Sequence, residues 1–343
     1  MGMDESSNTA RKKAMSKKIT AAFLDFSQRI GRRVRLQDLH VLMTVAQAGS
    51  MGKAAQKLNT TQPAVSRAIA ELEAAIGVRL LDRGQQGVEP TVYGRAFLHC
   101  AAAVFDDLRQ GVRNIEFLSD PTLGEIRIGG NETVIAGLLS TVVGRLRRRY
   151  PGITVHMTHV GPLADQCREL RERKLDLVFG QLEAKIALES DIETETLYQD
   201  HICVVAGSHN RWSTRRKMTL AELADEPWGL PPSDSATGFL VWEAFRLSGV
   251  SLRAAATGSP YLLLSMLSKG PFLVTIPSSI LKFGAALPPL NVLPVELPVP
   301  PWPVGFMTLK NRAISPVAQL FLDTAREVVK PAQDGKRTAT STA

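Results

Sequence analysis

Gln62, Ser66 and Arg67 lie on one side of a short helical pattern in NTTQPAVSRAIAELEAAIG (59–77), and Val65, Ile69, Leu72 and Ile76 form a stripe on the other. The polar side can donate and accept hydrogen bonds. The apolar side can only be buried. Thr61 and Pro63 flank Gln62 at the start of the pattern. Pro63 in a first helical turn forfeits no bond, because its N–H would be an orphan there anyway. The remaining free N–H groups and the positive dipole end can meet a phosphate. These residue types in this order suit DNA: a polar start against the bases and an apolar end that holds the helix on its domain.

No other residues make a comparable set. His156 and His159 have a metal-like spacing, but they fall in a strand pattern, where residues three apart point to opposite faces. Structural histidines are the better reading. His40, His99, His201 and His209 are scattered and give neither a triad nor a zinc pattern. Cys167 falls on an expected helix and Cys203 in an apolar strand, which favours buried inert thiols over a redox pair. Catalytic and metal sites are therefore expected to be none, and no cofactor is implied.

The elements that must position the polar helix read as a three-helix cluster. Leu39, Leu42, Met43 and Ala46 share one face of a helix that begins near Leu36, and AGS (48–50) stops it. Ser50 can cap a second helix with Ala54, Ala55 and Leu58 turned inward. Small residues suit a steep crossing of two helices, and Asn59 stands at the turn, where a left-handed residue helps. After Gly77, VRLLDRGQQGVEPTV reads as a hairpin whose loop carries Arg83.

A long helix is expected over 93–119. Phe97, Ala101, Val104, Leu108, Gly111, Ile115 and Leu118 repeat there at heptad spacing, and the helix would be roughly 40 Å long at 1.5 Å per residue. The stripe reads as a dimer seam, with a core helix as the alternative. SDPTLG (119–124) breaks it and marks a hinge at 120–124. Beyond it, strands and helices alternate. Strands are expected at EIRIGG, ITVHMTHV, LDLVFG, HICVVAG, 252–256, FLVTIP and twice within 291–310. Helices are expected at 134–150, 163–174, 220–224, 239–247, 261–269 and 316–329. This predicts an α/β domain over 125–330 with mostly parallel sheet, too large for one sheet and therefore two-lobed. The tail 331–343 is polar and expected to be flexible.

Bulk numbers agree with this division. A chain of 343 residues exceeds one ordinary domain, and 44% hydrophobic with 22% charged residues suits a globular protein. No apolar run approaches a membrane span, and AAFLDF, broken by Asp25, is no signal peptide. Three cysteines give no disulfide framework, so the expected location is cytoplasmic, without membrane contact. Residues 1–119 hold 17 Lys/Arg against 11 Asp/Glu, whereas the remainder holds 24 against 22. A basic front end suggests a polyanionic partner, although a basic flexible extension over 1–33 would contribute to the same imbalance.

The run VAQAGSMGKAAQKLNTTQPAVSRAIAELEAAIGVRLLDR, followed by GVEPTVYGRAFL, resembles the winged helix-turn-helix of LysR-type transcriptional regulators. GEIRIG, RRRYPGITV, LRERKLDLVFG, TLAELADEPWGLP and FLVTIP stand where that family's effector domain has its landmarks. RLLDRGQQGVEPTVYGR is most similar to regulators of the galactose-binding-protein type. The resemblance covers about 35–330. Two features depart from it: the extension before Val34 is long, and KGPF (269–272) replaces a Gly-rich turn.

The resemblance implies an all-α winged helix-turn-helix domain (34–92), a linker helix (93–119) and an α/β effector domain with two lobes like a type 2 periplasmic binding protein. It also implies an inverted-repeat operator on double-stranded DNA and self-association as dimers and tetramers. RNA polymerase is a further implied partner. Gln62, Pro63, Ser66, Arg67, Arg83 and Thr61 would contact DNA, and Phe97, Ala101, Val104, Leu108 and Ile115 would form the dimer seam. A small-molecule effector of unknown identity would bind between the lobes, where strand ends and helix starts converge. Asn131 and Thr133, Gly161 and Pro162, Ser233, Ser235 and Thr237, and Thr257 and Ser259 are the candidates.

Overall fold

The computed structural model describes residues 33–84, 87–252, 254–284 and 287–339. The expected extension over 1–33 therefore lies, apart from its last residue, outside the described residues. The chain forms two compact units, Met1–Leu108 and Arg109–Ala343.

In the first unit, helices α1 (Leu36–Ala48), α2 (Met51–Lys57) and α3 (Gln62–Ile76) precede strands β1 (Leu81–Gly84) and β2 (Gly87–Pro90), and α4 (Val92–Ser119) begins. Gly49 ends α1 and Gly77 ends α3, both left-handed, and Asn59 takes φ 50° at the turn between α2 and α3. Ser50 accepts the Lys53 N–H at 3.5 Å and so caps α2. Leu42, Val45, Ala54, Ala55, Val65, Ile69, Leu72 and Leu80 form the core. The two alanines permit the close crossing. β1 and β2 pair antiparallel, Leu81 opposite Pro90. The Glu73 carboxylate accepts from the Leu80 N–H (2.7 Å) and the Leu81 N–H (3.1 Å), which ties the hairpin to α3.

The second unit has two five-stranded sheets. The first, in the order β4-β3-β5-β12-β6, uses β3 (Leu123–Gly130), β4 (Gly152–His159), β5 (Leu177–Gln181), β6 (Ile192–Asp200) and β12 (Trp302–Leu309). The second, in the order β11-β7-β10-β8-β9, uses β7 (Ile202–Gly207), β8 (Trp228–Leu230), β9 (Ala254–Thr257), β10 (Leu273–Pro277) and β11 (Leu290–Val292). Two lobes result. The chain passes between them at His201 and again between β11 and β12.

Helix α5 comprises Glu132–Val134, a π turn at Ile135–Leu139, and Ser140–Arg149. It packs with α10 (Pro316–Ala339) against Ile126, Ile128, Phe179 and Phe306 of the first sheet. α6 (Leu163–Arg171) covers the opposite face, where Val178 and Met307 point. In the second lobe α7 (Ala236–Leu247) lies on the Trp228 and Leu273 side, and α8 (Pro260–Met266) on the Val205 and Val274 side. The short α9 (Ser278–Phe283) follows β10 and puts Phe283 into the first-lobe core beside Tyr198.

Several expectations need correction. The sheets are mixed rather than mostly parallel, because β12 runs antiparallel to β5 and β6, and β7 runs antiparallel to β10 and β11. β6 has no counterpart among the expected strands: its register shifts opposite Val304 and Gly305, so adjacent Leu197 and Tyr198 are both buried and alternation is lost. β8 and α9 are too short for periodicity to show. The 220–224 helix is a 3₁₀ turn, Ala221–Leu223. The helix expected over 163–174 ends at Arg171, ahead of a left-handed Arg173, and the one expected over 261–269 ends at Met266. The final helix is described as far as Ala339, through Pro331 and Gly335.

The last turns of α4 belong to the second unit. Phe117 packs against the first-lobe core, Arg113 pairs with Glu125, and the Asp120 carboxylate accepts the Thr122 N–H at 2.9 Å. These contacts span the expected hinge at 120–124. Nearby, the Arg312 guanidinium is 4% exposed and donates to the Leu175 carbonyl and to Asp176, both at 2.6 Å. Asp176 also accepts from the Arg127 backbone N–H (2.8 Å) and side chain (3.0 Å). With its amide oriented to satisfy both atoms, Gln110 accepts from Arg312 Nε at 2.7 Å and donates to the Ala313 carbonyl at 2.8 Å.

Removing the shared carboxylate takes a close charged partner from the buried Arg312 guanidinium and from Arg127 together. Asp176→Ala is expected to cost about 3 kcal/mol or more of stability. Urea unfolding of the full chain measures it, and a loss under about 1 kcal/mol, the scale of an exposed ion pair, would show that the cluster is solvated.

Candidate functional site

Thr61 caps α3 by accepting the Ala64 N–H at 3.4 Å, with Pro63 in the first turn. Val65, Ile69 and Leu72 are buried, and Ile76 is half-buried against the same core. That burial fixes the rotation of the helix. Thr61, Gln62, Pro63 and Arg67 are exposed, and Ser66 is half-buried. Arg83 of β1 donates from Nη2 to the Ser66 hydroxyl at 3.2 Å, so the hairpin and the helix present one surface. Glu73 is a positioning residue that periodicity could not reveal, since it acts on backbone seven and eight residues away.

On α4 the open apolar stripe is Leu108, Val112, Ile115 and Leu118, with Ile115 65% and Leu118 79% exposed. The expected seam is only partly available. Phe97 packs against the first-unit core, Ala101 is buried and Val104 is half-buried. Strict heptad spacing passes over Val112, although a straight helix drifts far enough to bring it onto the stripe.

The candidate effector residues fall into two neighbouring pairs of turns. Gly130 and His159 are partners in the β3–β4 register, so Asn131 and Thr133 lie beside Gly161 and Pro162 at one end of the first sheet. Leu230 and Thr257 are partners between β8 and β9, which puts the turn holding Ser233, Ser235 and Thr237 beside Thr257 and Ser259. Several of these groups are already engaged. Asn131 Oδ1 accepts the Val134 N–H at 3.0 Å, and the Gly161 carbonyl accepts from Gln166 at 2.7 Å. Ser235 accepts the Gly238 N–H at 3.0 Å and donates to the Pro232 carbonyl at 2.7 Å. Pro162 and Ser259 precede α6 and α8 without any side-chain cap, and Ser233 and Thr257 are exposed.

Between the lobes the structure adds groups absent from that set. Asp200, 2% exposed, accepts from the His201 N–H (2.9 Å), the Ser278 hydroxyl (2.7 Å) and the Ser279 N–H (3.1 Å). It joins the crossing strand to the start of α9. The Tyr198 and Tyr261 hydroxyls are buried without a well-formed hydrogen bond among the described residues. Burial pushes both phenols up from their ordinary range, reinforced at Tyr198 by Asp200 and at Tyr261 by Glu132, so both remain proton donors. A buried hydroxyl left unpaired costs about 1–3 kcal/mol. Tyr261 sits in YLLLSM and reads as core from sequence; only the fold shows its hydroxyl meeting Gly137 of the other lobe.

The remaining chemistry-bearing residues do not converge. Cys167 is buried in the first lobe, its thiol pushed up mainly by burial, and Cys203 lies on β7 of the second. His156 approaches Glu125 at 3.7 Å, and both it and His159 are exposed. Among the described residues, no cluster of three His, Cys, Asp or Glu could hold a metal ion, and no helix is long and apolar enough to cross a membrane.

Comparison with known proteins bears on both units. A family model for a bacterial regulatory helix-turn-helix protein of the lysR family matches residues 36–95, and one for the LysR substrate binding domain matches 119–330. The transcriptional regulator TdcA of Escherichia coli K12 is 27% identical over 295 residues, 85% of this chain and 93% of the relative. GbpR of Azospirillum brasilense is 25% identical over 309 residues, covering 89% and 88%. In fold the chain is similar to a full-length OxyR variant of Pseudomonas aeruginosa, with a TM-score of 0.60, 20% identity and 87% and 97% coverage. It is also similar to CbnR, with a TM-score of 0.50, 21% identity and 85% and 100% coverage.

The open stripe on α4 gives a direct expectation. A charge placed at its centre would be stranded in any apolar contact between two copies. Leu108→Glu is expected to convert the oligomer to monomer in light scattering at micromolar concentration, whereas Phe97→Ala acts first on stability. An oligomer unchanged by Leu108→Glu would exclude this stripe as the seam.

Proposed function

The chain belongs to the LysR family of bacterial helix-turn-helix regulators, and from that premise we propose that α3 and the β1–β2 hairpin together read an interrupted inverted repeat in double-stranded DNA. The chain is a DNA-binding transcriptional regulator with a substrate-binding domain. One observation carries the proposed reading surface: burial of Val65, Ile69 and Leu72 turns Gln62 and Arg67 outward, while Arg83 reaches the same surface through Ser66. Free N–H groups at the start of α3 suit a phosphate, and Pro63 sacrifices none of the helix's own bonds.

The same reading assigns the α4 stripe to a dimer and the effector domains to tetramer contacts. It puts a small-molecule effector between the lobes, where the turns at 131–133, 161–162, 233–237 and 257–259 gather. In this reading the regulator acts in the cytoplasm on RNA polymerase, and its role is regulatory rather than catalytic, as membership of the family supports.

Footprinting on DNA flanking its own gene tests the reading. Arg67→Ala is expected to lose about 1–3 kcal/mol of specific binding, with sequence discrimination relaxed at one position of each half-site. Arg83→Ala should weaken all sequences alike and lower the salt slope by about one. Protection unchanged in Arg67→Ala would remove α3 as the reader.

A further inference from the structure

We propose that the effector is a neutral, hydroxyl-bearing molecule, recognised where Tyr261 of the second lobe meets Gly137 of the first, in the turns of α5 that follow Glu132. This rests on the reading of the interlobe cleft as the effector site and adds the chemical class of its occupant.

The place is built by three elements. A Cβ on Gly137 would lie 3.8 Å from Phe283 Cβ, 3.9 Å from the Tyr261 hydroxyl and 4.0 Å from the Ser279 carbonyl. Gly137 is within the π turn of α5, a local widening of the helix that often accompanies function. The Tyr261 hydroxyl therefore reaches across from α8 to the first turns of α5, buried and without a protein partner among the described residues. A second hydroxyl lacking a well-formed hydrogen bond, that of Tyr198, lies beside Ser279, and Tyr198 as a whole is more than nine-tenths buried.

The charges acting on these phenols are carboxylates, Glu132 on Tyr261 and Asp200 on Tyr198. Asp200 is saturated by three donors, and Glu132 is not engaged in that way. A helix start would ordinarily welcome an anion, but here it is already served from within. Glu132 occupies the first turn with its own negative charge, and the Asn131 side chain takes the Val134 N–H. An added carboxylate would accept from Tyr261 but be repelled by Glu132. An ammonium would donate to Glu132 and to the phenol oxygen, but it has no acceptor for the Tyr261 O–H. An alcohol does both, accepting from the phenol and donating to the carboxylate. The Tyr198 hydroxyl, beside Ser279, lies on the same interlobe seam.

Calorimetry on the full chain tests this with a panel of aldopentoses, aldohexoses and inositols, each sugar paired with its aldonate. At least one neutral polyol is expected to bind, and more tightly than its aldonate. Tyr261→Phe should weaken that polyol about tenfold, as loss of a buried hydrogen bond does. Glu132→Gln should narrow the gap between sugar and aldonate. Gly137→Leu should abolish binding, and Gly137→Ala, whose methyl fits at ordinary contact distance, should weaken it even if the leucine chain fails to fold.

Aldonates that bind better than their sugars, and lose binding in the Gly137 variants, would overturn the chemical class while leaving the cleft in place. Failure of every neutral polyol to bind would overturn it too. A polyol whose binding is indifferent to Tyr261→Phe and to both Gly137 variants would show that the cleft itself is not the site.

Discussion

A 15-residue helix that buries Val65, Ile69 and Leu72 has no freedom in what it presents to solvent. That single constraint organises the first unit. The small residues Ala54 and Ala55 let α2 cross close to α3, Asn59 makes the turn between them, and Glu73 holds the hairpin to the same helix through two backbone N–H groups. Gln62, Arg67 and the Arg83 side chain share a surface because the core beneath allows one rotation. Function here is a by-product of packing, in the sense that the apolar stripe aims the polar face.

The second unit solves a different problem, how to keep two sheets as separate lobes while joining them at a polar seam. Asp200 is the joint. Buried with three donors and no cation in those bonds, it fastens the crossing strand to α9, and α9 in turn inserts Phe283 into the first-lobe core. The same seam leaves two tyrosine hydroxyls without well-formed protein hydrogen bonds. A fold under pressure only for stability would pair or delete them, since unpaired buried groups are rare and costly. At the other edge of the first lobe, Arg312, Asp176 and Gln110 hold the last turns of α4, which makes that part of the helix a component of the effector unit.

How legible all this is in the sequence depends on the range of the interactions. The three helices, their caps at Gly49, Asn59 and Gly77, and the outward face of α3 are local in sequence, and spacing alone locates them. β6 escapes because a bulge puts Leu197 and Tyr198 on the same buried side, and β8 because three residues carry no period. The open apolar stripe of α4 is half legible: heptad counting finds Leu108 and Ile115 but includes Phe97, which packs against the first-unit core, and passes over Val112. The cleft turns are legible as turns. Tyr261 and Gly137 are not, because nothing within either stretch signals that a phenol from one lobe will stand over a glycine of the other.

If the start of α3 enters the groove, photo-crosslinking from position 62 will show it. A photoreactive residue in place of Gln62 in the full chain, irradiated on operator DNA, should join a base within each half of the inverted repeat. A control group at Gln319, exposed on α10, should join none. A protein that still protects the operator, while the group at position 62 never reaches DNA, would mean that another element enters the groove.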